Sequence, residues 1–249
     1  LVQVARGVVK LDEPLVRFVP EWRGTAKAAI TLRRILAHDA GFQSGADYRA
    51  ILGERVEDYA LSLALVAAPG ERVVYSDLGF IALGKLLERA CSRSLASVVR
   101  ETLEPLGVPS LDYRPRANER DAIPATESDT WHGLVQGSVH DEKAHLMGDV
   151  AGHAGLFGDA RDAARIADLY LRALRGESCE PLNLDLVRAA LEEQASDPVA
   201  RRGLGWVLKT SDENACGAKM GPRTFGHTGF TGTSIWSDPD RDMTVVLLT

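Results

Sequence analysis

The segment Val73-Val74-Tyr75-Ser76-Asp77-Leu78-Gly79-Phe80 constrains the fold more than any other stretch of the chain. A short β-branched and aromatic run stops at Ser76-Asp77, two residues whose side-chain oxygens accept from the unpaired N–H groups of a helix's first turn. Leu78, Ile81, Ala82, Leu83, Leu86, Leu87 and Ala90 follow at helical spacing and make one apolar face. An extended run that turns directly into an amphipathic helix leaves Tyr75 at the junction, held rigidly yet able to face a cleft. Taken alone, the same residues are better read as a core tyrosine followed by an N-cap.

A second stretch gives the junction a partner. Gly226-His227-Thr228-Gly229-Phe230-Thr231-Gly232 followed by Thr233-Ser234-Ile235-Trp236 reads as a strand, a glycine-relieved bend and another strand. Asp238-Pro239-Asp240-Arg241-Asp242 supplies a turn, and Met243 to Leu248 a buried strand. Glycines weaken a strand's packing, so their presence points to a close approach to the backbone. His227 and Thr228 offer polar groups beside it.

Together the two stretches resemble the serine β-lactamase and penicillin-binding-protein superfamily, with the greatest likeness to class C β-lactamases and related esterases and D,D-peptidases. That superfamily carries a Ser-x-x-Lys nucleophile motif, a Tyr-x-Asn or Ser-x-Asn motif and a Lys-Thr-Gly or His-Thr-Gly strand. Tyr75-Ser76-Asp77 is similar to the second, with Asp for Asn, and His227-Thr228-Gly229 to the third in its histidine form. Leu11-Asp12-Glu13-Pro14, Ile35 to Phe42 (Ile-Leu-Ala-His-Asp-Ala-Gly-Phe) and Gly152 to Phe157 resemble further family segments in family order. Val139-His140-Asp141-Glu142 and Gly152-His153-Ala154-Gly155 are similar to a cell-wall-directed subgroup. The resemblance implies an α+β fold, an antiparallel sheet flanked by helices beside a mainly helical lobe. The helical lobe is expected over 15–150 and the sheet lobe over 1–14 and 151–249. It also implies an extracytoplasmic setting, no cofactor and a small-molecule or peptidoglycan-type substrate.

No serine in the chain has a lysine three positions later, and there is no Gly-x-Ser-x-Gly elbow. Family spacing places the nucleophile roughly ten residues before Leu1. Leu1 to Gly7 reads as the last turns of a helix stopped by Gly7 but lacking a start signal. Thr249 closes on a strand where the family continues into a helix, so the expectation is a fragment cut at both ends.

A net charge of −6 and a pI near 5.6, with Lys and Arg dispersed, argue against nucleic acid or an anionic membrane as partner. No apolar run reaches spanning length. Cys91, Cys179 and Cys216 show neither a disulfide framework nor metal-ligand spacing and read as free thiols. Along the chain, Thr31 is an expected N-cap, and helices are expected over Glu54–Val66 and Leu95–Leu106. Asp159 should open another helix, with Asp162 placed for a capping box, and Asn183 should cap one running to about Gln194. Strands are expected at Gly205–Leu208, Phe225–Phe230, Thr233–Trp236 and Thr244–Leu248. Tyr113 to Val150 shows little periodicity, which in a domain of this size marks a binding loop or lid.

The family chemistry is attack of a serine on an acyl carbonyl to form an acyl-enzyme. Tyr75 is the expected base or proton relay, and since a phenol titrates near 10 it needs positive charge nearby to act as phenolate. The motif lysine would supply most of that charge. His227 would supply the rest when protonated, or pass protons itself. Asp77 only accepts hydrogen bonds when ionised, unlike Asn, which puts β-lactam turnover in doubt; it reads equally as a plain helix cap. Thr228 is expected to bind a substrate carboxylate or acyl group, Gly229 to let substrate lie along the strand, and the Phe230 N–H to form half of an oxyanion hole. His140, Asp141, His145 and His153 invite a metal reading. However, His140 and His145 are off the i, i+4 spacing of zinc-binding helices and no cysteine is near. His140, Asp141 and His153 are therefore placed on a rim loop near substrate. The competing reading is a non-catalytic binding module on the same fold, supported by Asp77 and the missing Ser-x-x-Lys.

Overall fold

The computed structural model describes residues 1–47, 49 and 55–249. The chain opens with the helical turn α1 (Val2–Ala5), stopped by Gly7 in a left-handed conformation (φ +73°). Three 3₁₀ turns follow, at Leu15–Arg17, Pro20–Trp22 and Ala26–Ala29. They bury Leu15, Val19 and Trp22 completely or nearly so. The Trp22 indole donates to the Leu61 carbonyl (3.1 Å) and its ring lies 5.9 Å from Phe42, so this irregular connection is tied into the core at both faces.

Helix α2 (Leu32–Leu36) starts at Thr31, whose hydroxyl accepts from the Arg34 N–H as the capping preference dictates. Helix α3 (Val56–Ser62) is shorter than the Glu54–Val66 expectation, and Glu54 itself lies outside the described residues. Helix α4 (Asp77–Cys91) is the long amphipathic helix anticipated after the junction. Its apolar stripe of Leu78, Ile81, Ala82 and Leu86 is fully buried. Helix α5 (Leu95–Leu103) runs into a 3₁₀ turn that ends at Gly107, again left-handed.

The aperiodic stretch contains more structure than its pattern suggested. Strand β1 (Asp112–Tyr113) is followed by the hairpin β2 (Glu127–Asp129) and β3 (Gly133–Val135), then by the short helix α6 (Glu142–Leu146). Strand β4 (Leu156–Phe157) returns to pair antiparallel with β1. Each of these elements is too short to show a period.

Helix α7 (Ala160–Leu174) is capped by Asp159, whose carboxylate accepts from the Asp162 N–H (2.8 Å). The expected reciprocal capping box does not form. The Asp162 carboxylate accepts instead from the Ser110 N–H (2.9 Å), and the Ser110 hydroxyl accepts from the Asp159 N–H (3.1 Å). Helix α8 (Leu184–Leu191) is capped by Asn183 and stops three residues before the expected end at Gln194. The chain then builds a six-stranded antiparallel meander: β5 (Ala195–Ser196), β6 (Arg201–Arg202), β7 (Val207–Leu208), β8 (Phe225–Thr228), β9 (Ser234–Asp238) and β10 (Met243–Leu247). The two-residue strands β5 and β6 carry no alternation to read. β8 ends at Thr228 rather than Phe230, because residues 229–232 form the turn into β9. Helix α7 packs across β9 and β10, and its Tyr170 meets Trp206 and Phe225 with ring centroids 5.3 and 5.8 Å apart. The three cysteines are free thiols.

Candidate active site

Tyr75 is held from both sides of the chain. The Val74 N–H donates to the His38 carbonyl (2.8 Å), and the Ser76 N–H donates to His38 Nδ1 (3.1 Å). One residue on, the Asp77 N–H donates to the Ser44 carbonyl (2.9 Å), and the Ser76 hydroxyl donates to the Gln43 carbonyl (2.5 Å) while accepting from the Gly79 N–H (3.0 Å). The junction is thus fastened to residues 38–44, and Ser76 is the true N-cap of α4. The Tyr75 ring packs at a tilt of 36° against the buried His38 ring (4.5 Å), which stacks in turn on Phe80 (4.9 Å). Because His38 Nδ1 accepts a hydrogen bond, its proton sits on Nε2. Burial, reinforced by the charges of Arg202 and His227, pushes its pKa down to about 3.

Across the groove, β8 brings His227 to within 6.0 Å of the Tyr75 ring, centroid to centroid. His227 Nδ1–H donates to the Thr228 carbonyl (2.7 Å), so in the neutral ring Nε2 holds the lone pair. Burial lowers the His227 pKa, and Arg202 lowers it further. Its neutral form is favoured, although the hydrogen bond to the Thr228 carbonyl works the other way, and a cation that does lie beside the phenol is Arg202, whose guanidinium carbon is 5.4 Å from the ring centre. Burial raises the Tyr75 pKa and Asp77 raises it again, against the opposing pull of Arg202. With these neighbours the phenol is favoured in its protonated form.

Thr228 closes β8, paired with Ser234. A side chain at Gly229 would meet the Thr233 hydroxyl at 2.1 Å, so an internal contact alone demands glycine there. Phe230 is 93% exposed on the turn, and no hydrogen bond occupies its N–H among the described residues. Its ring meets His140 edge-on (5.5 Å).

The loop residues fall into two groups. His140 Nε2 donates to Glu127 (2.5 Å) and Nδ1 contacts the Thr126 hydroxyl (2.9 Å), which ties the rim to the hairpin. Asp141 caps α6 through the Ala144 N–H (2.8 Å), accepts from His153 Nε2 (2.7 Å) and pairs with Lys143 (3.1 Å). Burial opposes ionisation of Asp141, but His153, the Ala144 N–H and Lys143 together hold its carboxyl well below the usual range. Lys143 also pairs with Asp77 (3.5 Å) and is raised by both carboxylates against the cost of its own burial. Asp77 is accordingly the first residue of α4 and a salt-bridge partner, not its cap. The His153 side chain is only 4% exposed and bonded to Asp141, so it lies behind that carboxylate and not on the open rim. Its loop lies directly on α4, where a side chain at Gly152 would strike the Phe80 carbonyl at 2.1 Å. His145 is bound to Asp149 (3.0 Å). Among the described residues no three His, Cys, Asp or Glu side chains group as a metal site.

Three members of the cluster were not singled out from the sequence: His38, Arg202 and Lys143. His38 lay inside a stretch already matched to the family, and Lys143 stands two residues after Asp141, so both had a local signal. Arg202 had none, because it comes from a two-residue strand.

The comparisons agree with this architecture. The Beta-lactamase family model matches residues 1–249. The "Putative D-alanyl-D-alanine carboxypeptidase" of Escherichia coli (strain K12) is 29% identical over 278 residues, covering 98% of this chain and 64% of that protein. The protein of the same name from Escherichia coli O157:H7 is 30% identical over the same shares. The chain thus spans just under two thirds of the length of these curated relatives. Among solved structures, a β-lactamase from Mycobacterium bovis superposes with a TM-score of 0.66 at 24% identity, covering 100% of this chain and 72% of that one. A class C β-lactamase from Rhodobacter sphaeroides superposes with a TM-score of 0.74 at 16% identity, covering 98% and 74%. At these identities the structures speak for the fold: helices flanking an antiparallel sheet, the α+β arrangement of β-lactamases and transpeptidases. With its whole length matched, the chain belongs to the β-lactamase family, within the serine β-lactamase and penicillin-binding-protein superfamily.

Proposed function

We propose that this chain forms the acyl-binding and proton-transfer part of a serine hydrolase acting on a cell-wall-type peptide amide or a related ester. The observation that carries the reading is the convergence of Tyr75 and His227, from opposite halves of the chain, to a 6.0 Å ring separation over one groove. The name shared by the curated relatives supports a peptide substrate ending in D-alanine.

In this reading the attacking serine precedes Leu1 in the gene-encoded protein. Tyr75 takes the proton of the serine hydroxyl and hands on its own, and the unprotonated Nε2 of His227 is the acceptor we assign to that relay. The same relay run backwards protonates the leaving group. The unbonded N–H of Phe230 is available to stabilise charge developing on the carbonyl oxygen. Thr228 offers a hydroxyl to the substrate at the open end of β8. Lys143 neutralises Asp77, so that the carboxylate does not repel an anionic substrate.

The test is covalent labelling of the gene-encoded protein with a fluorophosphonate or a penicillin, beside a Tyr75→Phe variant. Labelling should occur and the variant should label about 10²–10⁴-fold more slowly, the usual contribution of a positioned proton-transfer group. Equal rates would remove Tyr75 from the chemistry. Absence of labelling in the unaltered protein would favour a non-catalytic binding module on this fold, the reading that the lack of Ser-x-x-Lys in this chain also permits.

A further inference from the structure

A second constellation sits on the rim and uses neither Tyr75 nor His227. His140 is held between Thr126 and Glu127. Its Nε2–H donates to the Glu127 carboxylate (2.5 Å), so the neutral ring keeps its lone pair on Nδ1, which faces the Thr126 hydroxyl at 2.9 Å. The Val135 carbonyl, the other acceptor near that hydroxyl, is 3.5 Å away, so the hydroxyl proton belongs to Nδ1. Successive side chains of an extended chain point apart, yet the neighbours Thr126 and Glu127 both meet one imidazole. The parts are fixed in place. The Thr126 N–H donates to the Val135 carbonyl (3.0 Å), Val139 before the histidine is buried, and Asp141 after it caps α6. The His140 side chain is 13% exposed and its ring lies edge-on to Phe230, whereas Thr126 is exposed to solvent. A hydroxyl bonded to a base, with the base oriented by a carboxylate, is the arrangement that makes a weak nucleophile reactive.

We propose that Thr126, His140 and Glu127 form a second nucleophilic site, which takes the acyl group of small carboxylic esters arriving from solvent. Thr126 is the nucleophile, His140 the base, and Glu127 a positioning residue that acts through His140. As Oγ1 bonds to the ester carbonyl carbon, its proton passes to Nδ1. The bond to the alcohol oxygen then breaks, and the alcohol leaves with that proton. Water repeats the sequence on the threonyl ester and releases the acid. Esters suit the site because their alcohols leave more readily than the amines of amides, and the trio holds no cation to stabilise a developing oxyanion. The proposal goes beyond the hydrolase reading above, since it involves neither a serine before Leu1 nor Tyr75.

The experiment treats the gene-encoded protein with diisopropyl fluorophosphate and maps the adducts by mass spectrometry of tryptic peptides. At this site the Oγ1–P bond forms, the P–F bond breaks, fluoride leaves and the proton stays with the imidazole. Cleavage after Arg120 and Lys143 releases Thr126 in one peptide, whose other hydroxyls, Ser128, Thr130 and Ser138, are told apart by fragmentation. An adduct should form on Thr126, persist in Thr126→Ser and vanish in Thr126→Val. His140→Ala should slow its formation about 10²–10⁴-fold, and added imidazole should restore part of the rate. Glu127→Gln should slow labelling on its own yet add nothing when His140 is already alanine; a carboxylate that only shaped the hairpin would slow both. No adduct on Thr126 overturns the proposal. So does an adduct whose rate His140→Ala leaves unchanged, which marks a merely exposed hydroxyl. Label on a serine before Leu1 and none on Thr126 leaves the hydrolase reading standing without this one, and label on Thr126 alone does the reverse.

Discussion

Replacing His38 with asparagine should make the protein less sensitive to acid, although it removes a buried aromatic contact. His38 is 7% exposed, and its pKa falls from 6.5 to about 3 on folding. Between those values the unfolded chain binds a proton that the folded chain refuses, so stability is intact above 6.5 and is lost as the pH falls. Each pH unit in that window costs about 1.4 kcal/mol: about 2 kcal/mol by pH 5, and roughly 4 kcal/mol by pH 3, where the folded group begins to protonate. Asparagine is the informative substitution for two reasons. Its side-chain oxygen can accept from the Ser76 N–H as Nδ1 does, and it tolerates the left-handed backbone found at His38 (φ +60°). Loss of the ring contacts with Tyr75 and Phe80 lowers stability by about 0.5–1.5 kcal/mol per pair at every pH, and so cancels in the comparison. The assay is equilibrium urea unfolding of both proteins at pH 7.5 and pH 5. The unaltered protein should lose about 2 kcal/mol more than His38→Asn between the two values. Equal losses would mean that His38 takes up its proton in the folded state near its ordinary pKa, and would refute a tautomer fixed by the Ser76 hydrogen bond.

Two further predictions concern the strand side of the groove. Burial of His227 disfavours its imidazolium, so the acid limb of kcat/KM should lie below the ordinary histidine pKa of 6.5 and should disappear in His227→Gln with a rate loss of about 10²–10⁴-fold; an acid limb above 7 would contradict a neutral His227 as proton acceptor. Gly229→Ala should cost about 1–3 kcal/mol through collision with the Thr233 hydroxyl. Thr233→Ala should relieve most of that loss, since the new methyl then meets the 233 Cβ at 3.5 Å and the 233 carbonyl oxygen at 3.8 Å, both ordinary contacts; additive losses in the urea midpoints of the double variant would show that the strain lies elsewhere.

What could be read from the residues in order was whatever is coded locally. The stop at Ser76, the apolar stripe of α4, the caps at Thr31, Asp159 and Asn183, and the glycine-marked turn after Thr228 each depend on neighbours within a few positions. The ordered motifs around Tyr75 and His227 then named the family and the kind of chemistry. Three things were decided only by the tertiary structure. Asp77 became a salt-bridge partner of Lys143 because the α6 turn is folded over the start of α4. His153 was drawn behind Asp141, out of the rim, because its loop packs on the α4 backbone through Gly152. Arg202 reached the Tyr75 ring from a strand too short to leave a pattern. Charge, burial and protonation state are properties of what surrounds a side chain, and in this protein those surroundings come from segments far apart along the chain.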